Sequence, residues 1–309
     1  MFPAPSRKGT VPFRGHRTWY RITGDLSSGL TPLVVAHGGP GSTHDYLLRL
    51  TEFAADGRPV IHYDQLGNGG STHLPDHGAD FWTVGLFLDE LDNLLSQLGV
   101  ADDYLLFGQS WGGMLGAAHA ARRPAGLRGL VIANSPASMV LWRQECERLK
   151  DEMPAPHREA LRRHGATGDF DHPEYTRAVY AFYGRHMCRA DPLPREVGAT
   201  LLELQSDPTV YSTMNGPNDF HVIGTLRDWS LIESLPRIEV PVLVISGRYD
   251  EATPLTVQPF LDHVPDVRWE LFEESSHMPH VEEPARFDAV LARWLDERQR
   301  DGRRGAATA

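Results

Sequence analysis

The chain is poor in cysteine, carries no excess of positive charge and has no long apolar run. Only two cysteines occur in 309 residues, Cys146 and Cys188. They lack metal-ligand spacing and are too few for a disulfide framework, which a chain of this length does not need. Both are expected to be free thiols in a reducing compartment. Lys and Arg total 30 against 41 Asp and Glu, a formal net charge of -11. Such a surface cannot displace counterions from nucleic acid, and anionic lipid repels it, so neither partner is expected. No apolar stretch approaches the ~20 residues of a membrane span. The first ten residues, MFPAPSRKGT, lack the apolar core of a signal peptide, so a cytoplasmic location is expected. A small-molecule substrate stays open, and oligomeric state is not legible.

Hydrophobic residues make up 41% of the chain, enough for a substantial core. Short apolar runs that end in Gly, Asn, Asp or Ser recur at 31–39, 58–71, 103–107, 127–136, 239–250 and 267–277. They read as buried strands followed by tight loops. Helical spacing of apolar residues marks 81–98, 110–124 and 284–298 as helices. Strand alternating with helix predicts an α/β fold: a mostly parallel central sheet with helices on both faces. Between about 138 and 235 the sequence is charged, largely helical and free of buried strands. The expected organisation is a core in two parts, 1–137 and 236–309, with a helical cap, 138–235, inserted between them. The polar tail QRDGRRGAATA is expected to fray.

The stretch LLFGQSWGGM, 105–114, carries the chemistry. Gly108-Gln109-Ser110-Trp111-Gly112 matches G-x-S-x-G, the nucleophile elbow of an α/β-hydrolase fold. Its glycines have a steric role, because side chains two residues either side of the serine would collide in the sharp strand-to-helix turn. The helix that follows aims its N-terminus at the site and favours a developing anion. Motif order places an acid and then a histidine after the serine. Asp250, in GRYDEATP, and His277, in SSHMPHVEEP, each follow a strand at the same sheet edge. Glu251 is the rival acid and His280 the rival base. Asp64 precedes the serine, the wrong order, and reads as a loop organiser. One oxyanion donor is expected from the backbone of Trp111. The other is expected from the HGGPG loop, at Gly39 with Gly38 as the alternative. His37 reads as a loop brace. The two histidines of HMPH lack a defined ligand spacing, so no metal or cofactor is expected.

HGGPG, YDQLGNGGS, GQSWGG, GRYDEATP and SSHMPHVEEP together resemble the proline iminopeptidase family of α/β hydrolases, which includes L-amino acid amidases. The resemblance runs from about residue 10 to 298. MNGPNDFHVIGTLRDW, 214–229, is most similar to the amidase branch. It implies a serine hydrolase that cleaves the amide or peptide bond after an unblocked N-terminal amino acid, through an acyl-enzyme beneath a helical cap. It also implies acids that bind the substrate amino group: Glu251, directly after the triad acid, and Asp219, in the cap. Family members carry a glutamate where Asp219 stands, and the ordinary alternative for Asp219 is an Asx turn residue. Members often carry arginine at Gly70. The competing readings are an esterase or lactonase on the same scaffold and, more remotely, a non-catalytic ligand receptor.

Overall fold

The computed structural model describes residues 2–308, with side chains described for 2–300. Eight strands form one sheet: β1 (Arg7–Phe13), β2 (His16–Thr23), β3 (Leu33–Ala36), β4 (Val60–Asp64), β5 (Tyr104–Gln109), β6 (Leu127–Ala133), β7 (Val242–Gly247) and β8 (Val267–Phe272). Their order is β1-β2-β4-β3-β5-β6-β7-β8. The first two strands form an antiparallel hairpin, and β2 also runs antiparallel to β4. From β4 to β8 every pairing is parallel. Strands β3, β4, β5 and β7 are buried along their whole length. A sheet covered on both faces demands such unbroken apolar runs, which is why these strands are visible in the sequence.

Among the described residues ten α-helices accompany the strands: α1 (Val84–Leu98), α2 (Trp111–Ala120), α3 (Met139–Asp151), α4 (Ala155–Thr167), α5 (Pro173–His186), α6 (Arg195–Ser206), α7 (Thr209–Met214), α8 (Pro254–His263), α9 (Pro279–Glu282) and α10 (Pro284–Thr308). Helix α1 starts at Val84 rather than 81 because the Thr83 side chain accepts the Leu86 N–H and caps it. Val34 and Ala36 face a core shared with α1, α2 and α8. Leu33 and Val35, on the other face, meet α10 and the 3-10 helix Asp45–Ala54. The period-2 alternation of a strand supplies both cores from four residues. Helix α10 continues to Thr308, past the point where fraying was expected.

Helices α3 to α7 occupy the connection between β6 and β7. The neck of this insert is tied: Ser138 pairs with Ser230 in an isolated bridge, and the Met139 N–H donates to the Trp229 carbonyl at 2.9 Å. Its apolar residues pack with Trp82, just before α1, and with Trp111 and Met114 of α2, so the insert shares a core with the elbow helix. Among the described residues no helix is long and apolar enough to cross a membrane.

Candidate active site

Strand β5 ends at Gln109 and α2 begins at Trp111, which leaves Ser110 alone in the turn. Its backbone sits at φ 55, ψ -122, a conformation L-residues rarely adopt. The flanking glycines permit it. A Cβ on Gly108 would lie 2.1 Å from the Gly112 carbonyl oxygen, and one on Gly112 would lie 2.1 Å from that of Ala36. Gly108→Ala is therefore expected to lower stability by about 3 kcal/mol, by forcing backbone apart in a packed core. A thermal melt like the wild type's would contradict this steric account.

The structure brings Asp250 and His277 together from loops after β7 and β8. His277 Nδ1 lies 2.6 Å from Asp250 Oδ1, and both residues are buried. The same carboxylate oxygen accepts the Ala252 N–H at 2.8 Å, and Oδ2 accepts from Asn134 Nδ2 at 2.6 Å. With its acceptor sites so filled, the Asp250 side chain is fixed in orientation toward the ring. Burial, the largest single influence, would discharge His277, but the charge and hydrogen bond of Asp250, with the further carboxylates of Asp219 and Glu282, together hold the imidazole pKa above its usual value. Ser110 and His277 face one cavity of about 470 Å³. The Ser110 hydroxyl has no hydrogen-bond partner among the described residues. Such contacts commonly tighten only once substrate is present.

The rivals are separated by their partners. His280 donates Nε2–H to the Tyr46 carbonyl at 3.0 Å, and burial pulls its pKa down to about 4. His37 accepts the Gln65 N–H through Nε2 at 3.0 Å and is likewise pulled to about 4 by burial. Asp64 accepts the N–H groups of His44 and Gly70, each at 2.9 Å, and so organises two loops. At Gly70 a Cβ would come within 2.7 Å of the Trp19 ring, which accounts for glycine at a position where arginine is common in the family that the sequence resembles.

Two backbone N–H groups lie near Ser110, that of Trp111, which follows it, and that of Gly39 in the loop lining the same cavity. The N–H groups of Gly39 and Trp111 have no acceptor among the described residues. The Gly38 N–H is already committed, to the Tyr46 hydroxyl at 2.7 Å. Tyr46 in turn donates to Gln109 Oε1 at 2.5 Å, and Gln109 Nε2 donates to the His277 carbonyl at 3.0 Å. One hydrogen-bonded chain thus links the HGGPG loop, the elbow and the histidine loop.

Glu251 and Asp219 open onto the same cavity. Glu251 is 1% exposed, and its Oε2 has no hydrogen-bond partner among the described residues. Burial first, then the nearby Asp219 and Asp250 carboxylates, push its pKa well above the usual carboxylate range. Asp219 is held from the insert side. Its Oδ1 accepts from the Tyr211 hydroxyl at 2.7 Å, and its carbonyl accepts from Trp142 Nε1 at 2.8 Å. A buried carboxylate oxygen with no donor is costly, and a cation entering the cavity would relieve it.

A family described as alpha/beta hydrolase fold matches residues 31–284. The proline iminopeptidase of Lactobacillus delbrueckii subsp. lactis is 37% identical over 288 residues, covering 92% of this chain and 96% of the relative. The crystal structure of proline iminopeptidase from Mycobacterium smegmatis superposes with a TM-score of 0.90 at 50% identity, over 96% of this chain and 100% of that one. The chain belongs to the proline iminopeptidase family of α/β hydrolases. It is a hydrolase of the aminopeptidase type. The crystal structure of VinJ is also similar, with a TM-score of 0.94 and 64% identity over 95% of this chain and 99% of that one.

Within this proline iminopeptidase fold, several residues that shape the cavity carry no sequence signal of their own. Asn134 sits at φ 52 just after β6 and holds the far oxygen of Asp250. Tyr46 lies on the 3-10 helix Asp45–Ala54, a stretch where no element was expected. Tyr211 sets the rotamer of Asp219 from α7. Only a substrate-facing role for NGPND, which the family resemblance flagged, pointed to that region.

Proposed function

We propose that the enzyme removes an unblocked N-terminal amino acid from a small amide or short peptide, by acyl transfer to Ser110. His277 takes the Ser110 proton and returns it to the leaving nitrogen, while Asp250 holds the tautomer and stabilises the imidazolium. The oxyanion of the tetrahedral intermediate lies against the N–H groups of Gly39 and Trp111. Water then hydrolyses the acyl-enzyme with His277 as base. Residues 138–235 act as the cap that excludes bulk water and supplies Asp219. Proline, the residue in the relatives' names, and other small residues are the first candidates for the position before the scissile bond.

The observation that carries the amine specificity is the unpaired, buried Glu251 Oε2 beside Asp219 in the cavity that holds Ser110. An α-ammonium pairs with both acids. A blocked amine leaves Glu251 buried and unmatched. Removing one partner of such a pair costs about 3–5 kcal/mol, so N-acetylation of an amino acid amide is expected to reduce kcat/KM by about 10³-fold. Equal turnover of the free and acetylated amides would sink amine recognition and favour an esterase-type enzyme on this scaffold.

The charge state of His277 sets a second outcome. Only the neutral ring can accept the serine proton, so reactivity falls as pH drops through its pKa. Inactivation by an uncharged serine-directed fluorophosphonate reads this step without engaging the amine pocket. Because Asp250 raises the ring's pKa, the acid limb is expected to have its midpoint above the usual histidine value of about 6.5. A midpoint below that value would contradict the assigned pairing.

A further inference from the structure

The loop that presents His277 is short and irregular, yet its two backbone neighbours are gripped by a single side chain. Glu282, the last residue of α9, accepts the Ser276 N–H at 2.8 Å and the Met278 N–H at 3.2 Å through Oε2. Its Oε1 accepts the Ser276 hydroxyl at 2.7 Å and the Arg189 N–H at 2.8 Å. Arg189 belongs to the insert, between α5 and α6. Its guanidinium donates to the Glu274 carbonyl at 3.1 Å and lies 3.8 Å over the Tyr249 ring, next to Asp250. Four donors on one carboxylate bracket the imidazole-bearing residue on both sides and fasten it to the insert.

We propose that Glu282 is a positioning residue for the catalytic base: it fixes the backbone on either side of His277 and ties that loop to the helical insert. The inference rests on the reading of His277 as base. A carboxylate makes this grip where a neutral side chain would not. Two amide N–H groups converge on one oxygen while a hydroxyl and a third N–H meet the other, so all four contacts need acceptors. Glutamine offers one acceptor oxygen and turns an NH₂ group toward donors. The negative charge also acts on the ring. Asp250 in contact, and Asp219 and Glu282 further off, favour the imidazolium, while burial opposes it. Glu251, beside Asp250, is held toward its neutral form, and His280, kept neutral by burial, adds no charge.

The test compares Glu282→Gln, Glu282→Asp and Glu283→Gln in the full chain. Glu283 accepts from the Glu274 N–H at 3.1 Å and the Ser275 hydroxyl at 2.6 Å, one step further from the base. Glu282→Gln is expected to lower kcat on an amino acid amide about 10- to 100-fold, the scale of a small misplacement of a reacting group. It should also move the acid limb of fluorophosphonate inactivation to lower pH. Glu282→Asp keeps the charge but loses reach, so kcat falls while the limb stays at its wild-type position. Glu283→Gln leaves the limb unmoved. Wild-type kcat and limb in Glu282→Gln would overturn the proposal, as would a limb shift of equal size in Glu283→Gln. Should Glu282→Gln fail to fold, Glu282→Asp decides, with a wild-type kcat overturning the proposal. A wild-type enzyme with no acid limb at all would instead strike His277 as base, and this inference with it.

Discussion

Ser110→Ala lowers kcat on an amino acid amide by about 10⁶-fold, the loss seen when a hydrolase of this chemistry is stripped of its nucleophile. The size follows from position. Ser110 stands at the N-terminus of α2 and shares the cavity with His277 and with Gly39 of the HGGPG loop. Other hydroxyls line the cavity, Thr176, Ser212 and Tyr180 from the helical insert and Ser42 and Tyr46 from the segment after β3, but only Ser110 stands in the turn between β5 and α2. What survives is the catalysis of the oxyanion donors and of substrate binding alone, about 10³- to 10⁴-fold over water. Alanine removes one oxygen atom at a position whose backbone is set by Gly108 and Gly112, so the melting temperature should change little. A variant that folds and keeps a tenth of the wild-type kcat would place the nucleophile elsewhere.

Asp250→Asn lowers kcat by about 10⁴-fold. Asp250 Oδ1 accepts from His277 Nδ1 and from the Ala252 N–H, while Oδ2 accepts from Asn134. Both oxygens are therefore acceptors, and an amide cannot supply two. If the asparagine oxygen keeps the Ala252 and histidine contacts, its NH₂ confronts Asn134. If it turns over, the histidine loses its acceptor and adopts the tautomer with hydrogen on Nε2, which cannot take the serine proton. The variant also loses the charge that raises the ring's pKa, so its residual activity persists to lower pH than the wild type's. Single-turnover acylation of the variant measures the effect directly. A loss of less than tenfold would mean that Asp250 does not orient the base.

The elbow was legible in the sequence because its constraint is local. A turn that forbids side chains two residues either side of a serine writes glycine at fixed spacing, and the unbroken apolar run of β5 marks where it falls. The central strands were legible for the same reason, each carrying its own signal of two-sided burial. The hairpin of β1 and β2 was not. Strand β1 sits at the sheet edge with its first residues exposed, and Arg7 and Lys8 break any apolar run. The sequence favours His277 over His280 because it directly follows the strand–loop break, and the fold brings His277 to Asp250 while His280 meets the Tyr46 carbonyl. The supports of the site lie further from view. Asn134 reaches Asp250 across 116 residues and Gln109 reaches the His277 carbonyl across 168. Contacts of that range leave no periodicity. They depend on the parallel sheet bringing the ends of β5, β6, β7 and β8 to one edge. The glycine at position 70, unexplained by sequence, is accounted for by the Trp19 ring packed against it.

The account depends on Ser110 being the atom that attacks. Intact-mass and peptide-mapping spectrometry after treatment with a fluorophosphonate tests it most directly. One adduct per chain, on Ser110, formed at the rate at which amidase activity disappears and slowed by several orders of magnitude in His277→Ala, is the predicted result. An enzyme fully inactivated with its adduct on another residue, or one that reacts as fast without the imidazole, would contradict it.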